Sequence, residues 1–455
     1  MRLQCARNRM MGHMSQRSNL ALLALLALGA APAYGQSLVG SPQTLAPPQK
    51  APVITLDDAL RLARANSPEL QAAATSVGFA HAARLQARSL LLPSLTSVNA
   101  YVSTQAGANG GPVFIASNGA REYVSQASVH AVFGVAETAA YRSAAAAEDI
   151  ARAETEIATR GLVVTVVRRF DAVVVSQRKY ATAQQADADA RQFVALTQKR
   201  ETGGESAHAD VVKARIQAEQ RRRDLREAER VLKNSVSELA IVIFPTYDTA
   251  FTVADDLATP APLPAFETVR AQAARENPVL AAAEAALRQA RQDLWTARGR
   301  MLPSLAVDYL YGLDASHVAR STDGVRNVGS SIMFSVNVPL WNWGASQGQI
   351  AAARLQQTRA RVDVSFAQRQ LLANLDMFYE EAQAARDELD SLRRSVDLAA
   401  DSLRLTTLRY QAGESTVLEV VDAQTTLVTA RYAYDDGQAR YHLALANLQT
   451  LTGKF

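Results

Sequence analysis

The sequence predicts a mixed, mostly α chain in which one unit of short strands and very long helices is written twice. Three observations predict it. Landmarks of the first half return in the second at a fixed offset. Two stretches of about 65 residues are rich in helix formers and free of proline. Between shorter helices and these stretches lie segments of about ten residues whose apolar residues alternate with polar ones.

The repeat is read from ordered landmarks. Asn66-Ser67-Pro68-Glu69-Leu70 precedes Leu92-Pro93-Ser94-Leu95, and Glu276-Asn277-Pro278-Val279-Leu280 precedes Leu302-Pro303-Ser304-Leu305. Within each half the two prolines are 25 residues apart, and Pro68 and Pro278 are 210 apart. Gly204-Glu205-Ser206 returns as Gly413-Glu414-Ser415, and Val211-Val212 as Val420-Val421, both offset by 209. Four landmarks in one register indicate a tandem duplication.

Each half then changes period in the same order. An Ala/Leu/Arg/Gln-rich helix is expected over about 55–91 and again over 266–301. It stops at Leu-Pro-Ser, because proline disfavours helical geometry in the residue before it. Alternation follows: Leu305, Val307, Tyr309, Tyr311 and Leu313 share one face, with Asp308 and Gly312 on the other. Ile332, Phe334, Val336, Val338 and Leu340 alternate with polar residues and Met333, and Ala127, Val129, Ala131 and Phe133 repeat the pattern more weakly. Long helices are expected over 136–200 and 345–410, each reaching about 100 Å at 1.5 Å per residue. Gly203-Gly204 and Gly413 break them, and helices return over 206–243 and 415–450.

The chain opens with an address. Arg2, Arg7, Arg9 and Arg17 precede an apolar run from Leu20 to Ala31, and no acid appears before Asp57. The run is too short to span a bilayer, and small residues place cleavage after Ala33 or Gly35. The expected organisation is a signal peptide at 1–35, a flexible segment at 36–54, a first repeat at 55–244, a Pro-rich connector at 245–265 and a second repeat at 266–455. The only cysteine, Cys5, lies in the removed segment, so no disulfide or lipid-anchored cysteine is expected in the mature chain. Removing the four signal-peptide arginines from 48 basic residues leaves 44 against 44 acidic, with no electrostatic footprint for nucleic acid.

Alternating segments of this length match tilted membrane strands, which need about 9–11 residues; a small half-buried soluble sheet alternates in the same way. Aromatic residues at the expected strand ends (Tyr101, Tyr123, Phe133, Tyr309, Tyr311, Trp341, Trp343) and the export signal favour the membrane. Four strands close no barrel, and open edges are not tolerated in lipid. Strands must therefore be pooled between copies: two copies give eight, filled by side chains, and three give twelve, with room for a lumen. In 162–175, Leu162, Val163, Val164, Val166, Val167 and Val173–Val175 put apolar residues on more than one helical face. A helix packed between two neighbours fits this pattern, and so does a long antiparallel coiled coil.

No metalloprotease, nucleophile-elbow, Walker or dinucleotide motif is present, and the six histidines are scattered. No cofactor or metal site is expected, and no enzyme. His130, on the polar face of its strand, is a candidate for lining a lumen.

The duplicated Asn-(Ser)-Pro-x-Leu and Leu-Pro-Ser-Leu pairs, Val338-Pro339-Leu340-Trp341-Asn342-Trp343-Gly344 and the run from Tyr410 to Gln424 (YQAGESTVLEVVDAQ) together resemble the TolC outer-membrane factor family over nearly all of the mature chain. The resemblance implies a homotrimer: a twelve-stranded β-barrel, four strands per subunit, in outer-membrane lipid, continued by a twelve-helix α-barrel in the periplasm. It implies a channel for efflux or type I secretion that meets a periplasmic adaptor protein and an inner-membrane pump. It places Glu419 and Asp422, which share a helix face, in a ring of carboxylates at the periplasmic aperture. It puts Tyr410 and Asp210 in a latch between helical hairpins, with Ser415 where the family has an arginine. Adaptor contact is expected at the tips Gly203, Gly204, Gly413 and Glu414, the loops 105–122 and 314–328 outside the cell, and Trp341 and Trp343 at the periplasmic membrane boundary. A periplasmic coiled-coil scaffold or adaptor protein that never enters a membrane is the competing reading; two duplicated alternating hairpins with aromatic ends argue against it.

Overall fold

A computed structural model of the chain describes residues 52–103, 109, 121–247, 250–257, 261–315 and 327–453. The expected signal peptide and most of both outward loops lie outside the described residues.

The same series of elements runs twice. The first half forms β1 (Val53–Ile54), α1 (Leu56–Asn66), α2 (Pro68–Ser89), β2 (Ser94–Ser103), β3 (Arg121–Phe133), α3 (Val135–Thr202) and α4 (His208–Ile243). The second forms β4 (Thr252–Val253), α5 (Phe266–Glu276), α6 (Pro278–Gly299), β5 (Ser304–Ala315), β6 (Val328–Asn337), α7 (Ala345–Gln411) and α8 (Val417–Thr452).

Where one helix was expected over 55–91 and over 266–301, there are two. Ser67 and Asn277 are held extended by the prolines that follow them, and each caps the next helix, accepting from Leu70 N at 3.3 Å and Leu280 N at 3.0 Å. Thr55 and Asp58 form a capping box at the start of α1. The segment read as flexible through residue 54 therefore ends in ordered structure, with Val53 and Ile54 paired in parallel to Thr252 and Val253. Strand β6 stops at Asn337, short of the expected Leu340, because Pro339 cannot donate to the ladder.

Four strands form one antiparallel sheet in the order β2-β3-β5-β6. Its register puts Leu95, Val129, Tyr309 and Ile332 across one row and Phe133, Leu305 and Val336 across another, all on one face. The opposite face carries Gln126, Ser128, His130, Asp308, Ser331 and Ser335. Tyr309 sits in mid-strand rather than at a strand end.

The helices form two rows that share α3 and α7. Next to the sheet, contacts run α2-α3-α6-α7; further along, they run α4-α3-α8-α7. The valine-rich centre of α3 is buried from several sides: Val166, Val173 and Val174 pack with α1 and α4, while Val163 and Val167 meet Ala446 of α8. This is the helix-between-neighbours arrangement, not a two-stranded coiled coil. The connector is strapped to the second half, with Gln438 Nε2 donating to Leu257 O at 3.1 Å and Tyr441 Oη to Ala261 O at 2.7 Å. Among the described residues no helix is long and apolar enough to cross a membrane.

Candidate functional site

Two regions carry function-bearing geometry: the free sheet and the tips of the two helical hairpins, α3/α4 and α7/α8. The sheet is unusual for what it leaves uncovered. Leu95, Tyr309, Ile332, Phe334 and Val336 are all exposed on its apolar face, whereas a sheet in water buries such a face against a second layer. The polar face is internally satisfied: His130 Nδ1 lies 2.6 Å from Asp308 Oδ1, and Gln126 Nε2 donates to Asp314 at 3.3 Å. Apolar outside and polar inside is the pattern of a strand set between lipid and a lumen. Below β6, Trp341 and Trp343 are exposed, with ring centroids 5.8 Å apart.

At the tips, both long helices end in the same hydrogen-bonded turn. Glu205 N donates to Arg200 O at 2.8 Å and Gly204 N to Glu201 O at 2.9 Å; Glu414 N donates to Arg409 O at 2.8 Å and Gly413 N to Tyr410 O at 3.1 Å. These are the paired bonds of a Schellman end, which needs a left-handed residue, and Gly204 (φ 74) and Gly413 (φ 83) supply it. Gly203, Gly204, Gly413 and Glu414 are all exposed.

The next helices also start alike. Ser415 Oγ donates to Glu419 Oε2 at 2.7 Å, and Thr416 caps Glu419 N at 3.3 Å. In the first hairpin Ser206 Oγ reaches Asp210 Oδ2 at 3.5 Å. Ser415 is therefore bound to the acid of its own helix. Its hydroxyl and that of Thr416 hold the Glu419 carboxyl below the usual carboxylate range, so the group keeps its charge. Glu419 and Asp422 are both exposed on α8.

Tyr410 and Asp210 are not joined. Tyr410 is buried, 4% exposed, in a cluster with Phe193, Ala214, Val417 and Val420 that draws one side chain or more from each of the four hairpin helices. Among the described residues its hydroxyl has no hydrogen-bond partner. Asp210 instead faces Lys213 at 3.6 Å on its own helix. The charged residue that meets Tyr410 from the other hairpin is Arg200, whose guanidinium lies 4.9 Å from the ring centroid. Sequence reasoning missed Arg200; its signal was the duplication itself, which puts Arg200 opposite Arg409, in the last turn before each glycine. Also unforeseen was a buried pair further along the helices, His442 Nδ1 and Asp171 Oδ2 at 2.8 Å.

The sequence profile of the outer membrane efflux protein family matches residues 59–243 and 269–454. The chain belongs to that family. Among its relatives, the cobalt-zinc-cadmium resistance protein CzcC of Cupriavidus metallidurans is 24% identical over 413 residues, covering 90% of this chain and 92% of the relative. The outer membrane protein TolC of Vibrio cholerae is 24% identical, covering 86% and 89%. The fold is similar to the crystal structure of the Vibrio cholerae outer membrane protein VceC, with a TM-score of 0.75 and 19% identity over 87% of this chain and 96% of that one. This family member is an outer-membrane efflux channel that reaches into the periplasm, a transport protein and not an enzyme. The family match overturns the reading as a periplasmic coiled-coil scaffold or adaptor protein.

Proposed function

We propose that the chain is one subunit of a homotrimeric channel that serves a tripartite efflux or type I secretion system, passively conducting cargo from a periplasmic adaptor and inner-membrane pump to the outside. The observation that supports it most is that strands and helices run out of partners at the same two edges. Among the described residues the sheet order leaves the outer edges of β2 and β6 without a neighbouring strand, and the row beside it leaves α2 and α7 on the outside. Exposed apolar side chains line those edge helices: Phe79 and Leu85 on α2, and Leu355, Val362 and Phe366 on α7. In the second row the edges are α4 and α7, and there Ile216 faces out on one and Leu398 and Leu405 on the other. A second copy that adds its β2 to β6 brings its α2 and α4 to α7, and three copies give twelve strands around a lumen.

In that assembly Glu419 and Asp422 contribute six carboxylates at the periplasmic aperture, which favours cations over anions. Gly203, Gly204, Gly413 and Glu414 form the tips that receive the adaptor. Tyr410, Asp210 and Ser415 lie at the joint between hairpins, and Trp341 and Trp343 sit at the periplasmic lipid boundary. The native mass of the detergent-extracted protein tests the assembly. Three subunits are expected, from a membrane fraction that osmotic shock does not release. A monomer freed by osmotic shock would overturn the reading.

A further inference from the structure

We infer that Arg200 is the positioning residue that holds the two hairpins of a protomer together at the periplasmic end, gripping the ring and carbonyl of Tyr410 rather than its hydroxyl. The inference rests on the channel reading above and adds to it the residue that sets the resting state of the tip.

Arg200 sits in the last turn of α3, where the helix dipole presents partial negative charge. Its Nη1 donates to Tyr410 O, a carbonyl in the last turn of α7. One guanidinium thus serves the C-terminal ends of two long helices that belong to different hairpins. The same group lies over the Tyr410 ring, and Tyr410 in turn packs on Phe193 of α3, with centroids 5.1 Å apart. Glu205 stands 3.4 Å from Nε, and the Arg200 side chain is only 14% exposed. Nη2 passes 3.5 Å from where a Cβ at Gly413 would lie, so the guanidinium runs in contact range of the second tip.

Arg409, the duplicate of Arg200, stays on its own hairpin and donates to Glu414 O at 3.2 Å. Of these two arginines, only Arg200 reaches the other hairpin among the described residues. The Tyr410 hydroxyl is buried without a partner among the described residues, so there the tyrosine contributes its ring face and its carbonyl. Without Arg200 the negative ends of α3 and α7 lose the one cation seen to bridge them among the described residues, since Arg409 stays on its own hairpin, and the apolar cluster around Tyr410 is left to hold the tip.

Single-channel recording of the assembled protein in planar bilayers tests this, with trimer mass and helical circular dichroism checked in parallel. Arg200→Ala is expected to raise the open-to-closed ratio about tenfold, the size of a typical coupling between sites, with mass and helicity unchanged. Arg200→Lys keeps the charge but loses the planar fork and falls between the two; it also serves if the alanine variant does not assemble. Tyr410→Ala opens the channel like Arg200→Ala, and Tyr410→Phe rescues it. Assembled Arg200→Ala or Arg200→Lys channels with the parent's open-to-closed ratio would overturn the inference, as would Tyr410→Phe opening as far as Tyr410→Ala. Absence of any pore in the parent protein would overturn the channel reading itself, and is told apart because it needs no substitution.

Discussion

Arginine in place of Ile332 is expected to keep the protein out of the outer membrane. Ile332 lies opposite Tyr309 on the apolar face of the sheet and is 59% exposed in the protomer. If that face meets lipid, a guanidinium near mid-bilayer costs about 2–4 kcal/mol in each subunit, and every copy in the assembly bears it. The neighbouring Ser331 is on the other face, so Ser331→Arg points into the lumen and is expected to insert normally. Density-gradient separation of membranes reads the difference. Equal outer-membrane yields for the two variants would mean that the faces are assigned the wrong way round.

The second large effect concerns the buried pair between α3 and α8. Asp171 has a side chain 3% exposed, and His442 is the group that meets it, with its own side chain 32% exposed. Removing one partner of a buried pair costs about 3–5 kcal/mol, and the partly open edge of His442 puts His442→Ala at about 3 kcal/mol. Loss of helical circular dichroism on heating measures it. The hydrogen bond that the His442 ring donates to Asp171 raises the pKa of His442 above 6.5, with the charges of Asp171 and Asp256 adding to it against burial. Burial pushes the Asp171 carboxyl up as well, so the pair as a unit keeps its proton to higher pH. A raised histidine stabilises the fold fully below its unfolded pKa, and that contribution is lost as pH rises through the folded value. Thermal stability should therefore decline as pH climbs above 6.5. In His442→Gln, which keeps a donor but does not titrate, that decline should vanish; its persistence would assign the pH dependence elsewhere.

These two sites also show what one chain of letters reveals. The strand faces were legible because alternation is a local signal, and Ile332 and Ser331 differ only in parity. The long helices and their ends were legible for the same reason: Gly204 and Gly413 stand where a left-handed residue is required. The caps at Ser67 and Asn277 were present in the sequence, each directly before a proline, yet the helix period on both sides masked the break. Asp171 and His442 are 271 residues apart, and no periodicity links them. Arg200 looked like any basic residue near a helix C-terminus. Its reach to Tyr410 follows from how α3 and α7 converge, which is tertiary. The resemblance pointed to the Tyr410 position but to a different partner, because Ser415 is engaged by Glu419 and Asp210 by Lys213.

We propose an outer-membrane conduit whose periplasmic aperture is set by the carboxylates of Glu419 and Asp422. Ion selectivity of the purified mature protein in a planar bilayer tests it most directly, with Glu419→Gln plus Asp422→Asn as the comparison. Glutamine is chosen because it preserves the cap on Thr416 while removing the charge. The account predicts a cation-selective pore whose preference falls sharply in the double variant. A pore with no cation preference, or one that the two substitutions leave unchanged, would contradict the carboxylate aperture, and no pore from a folded assembly would contradict the conduit.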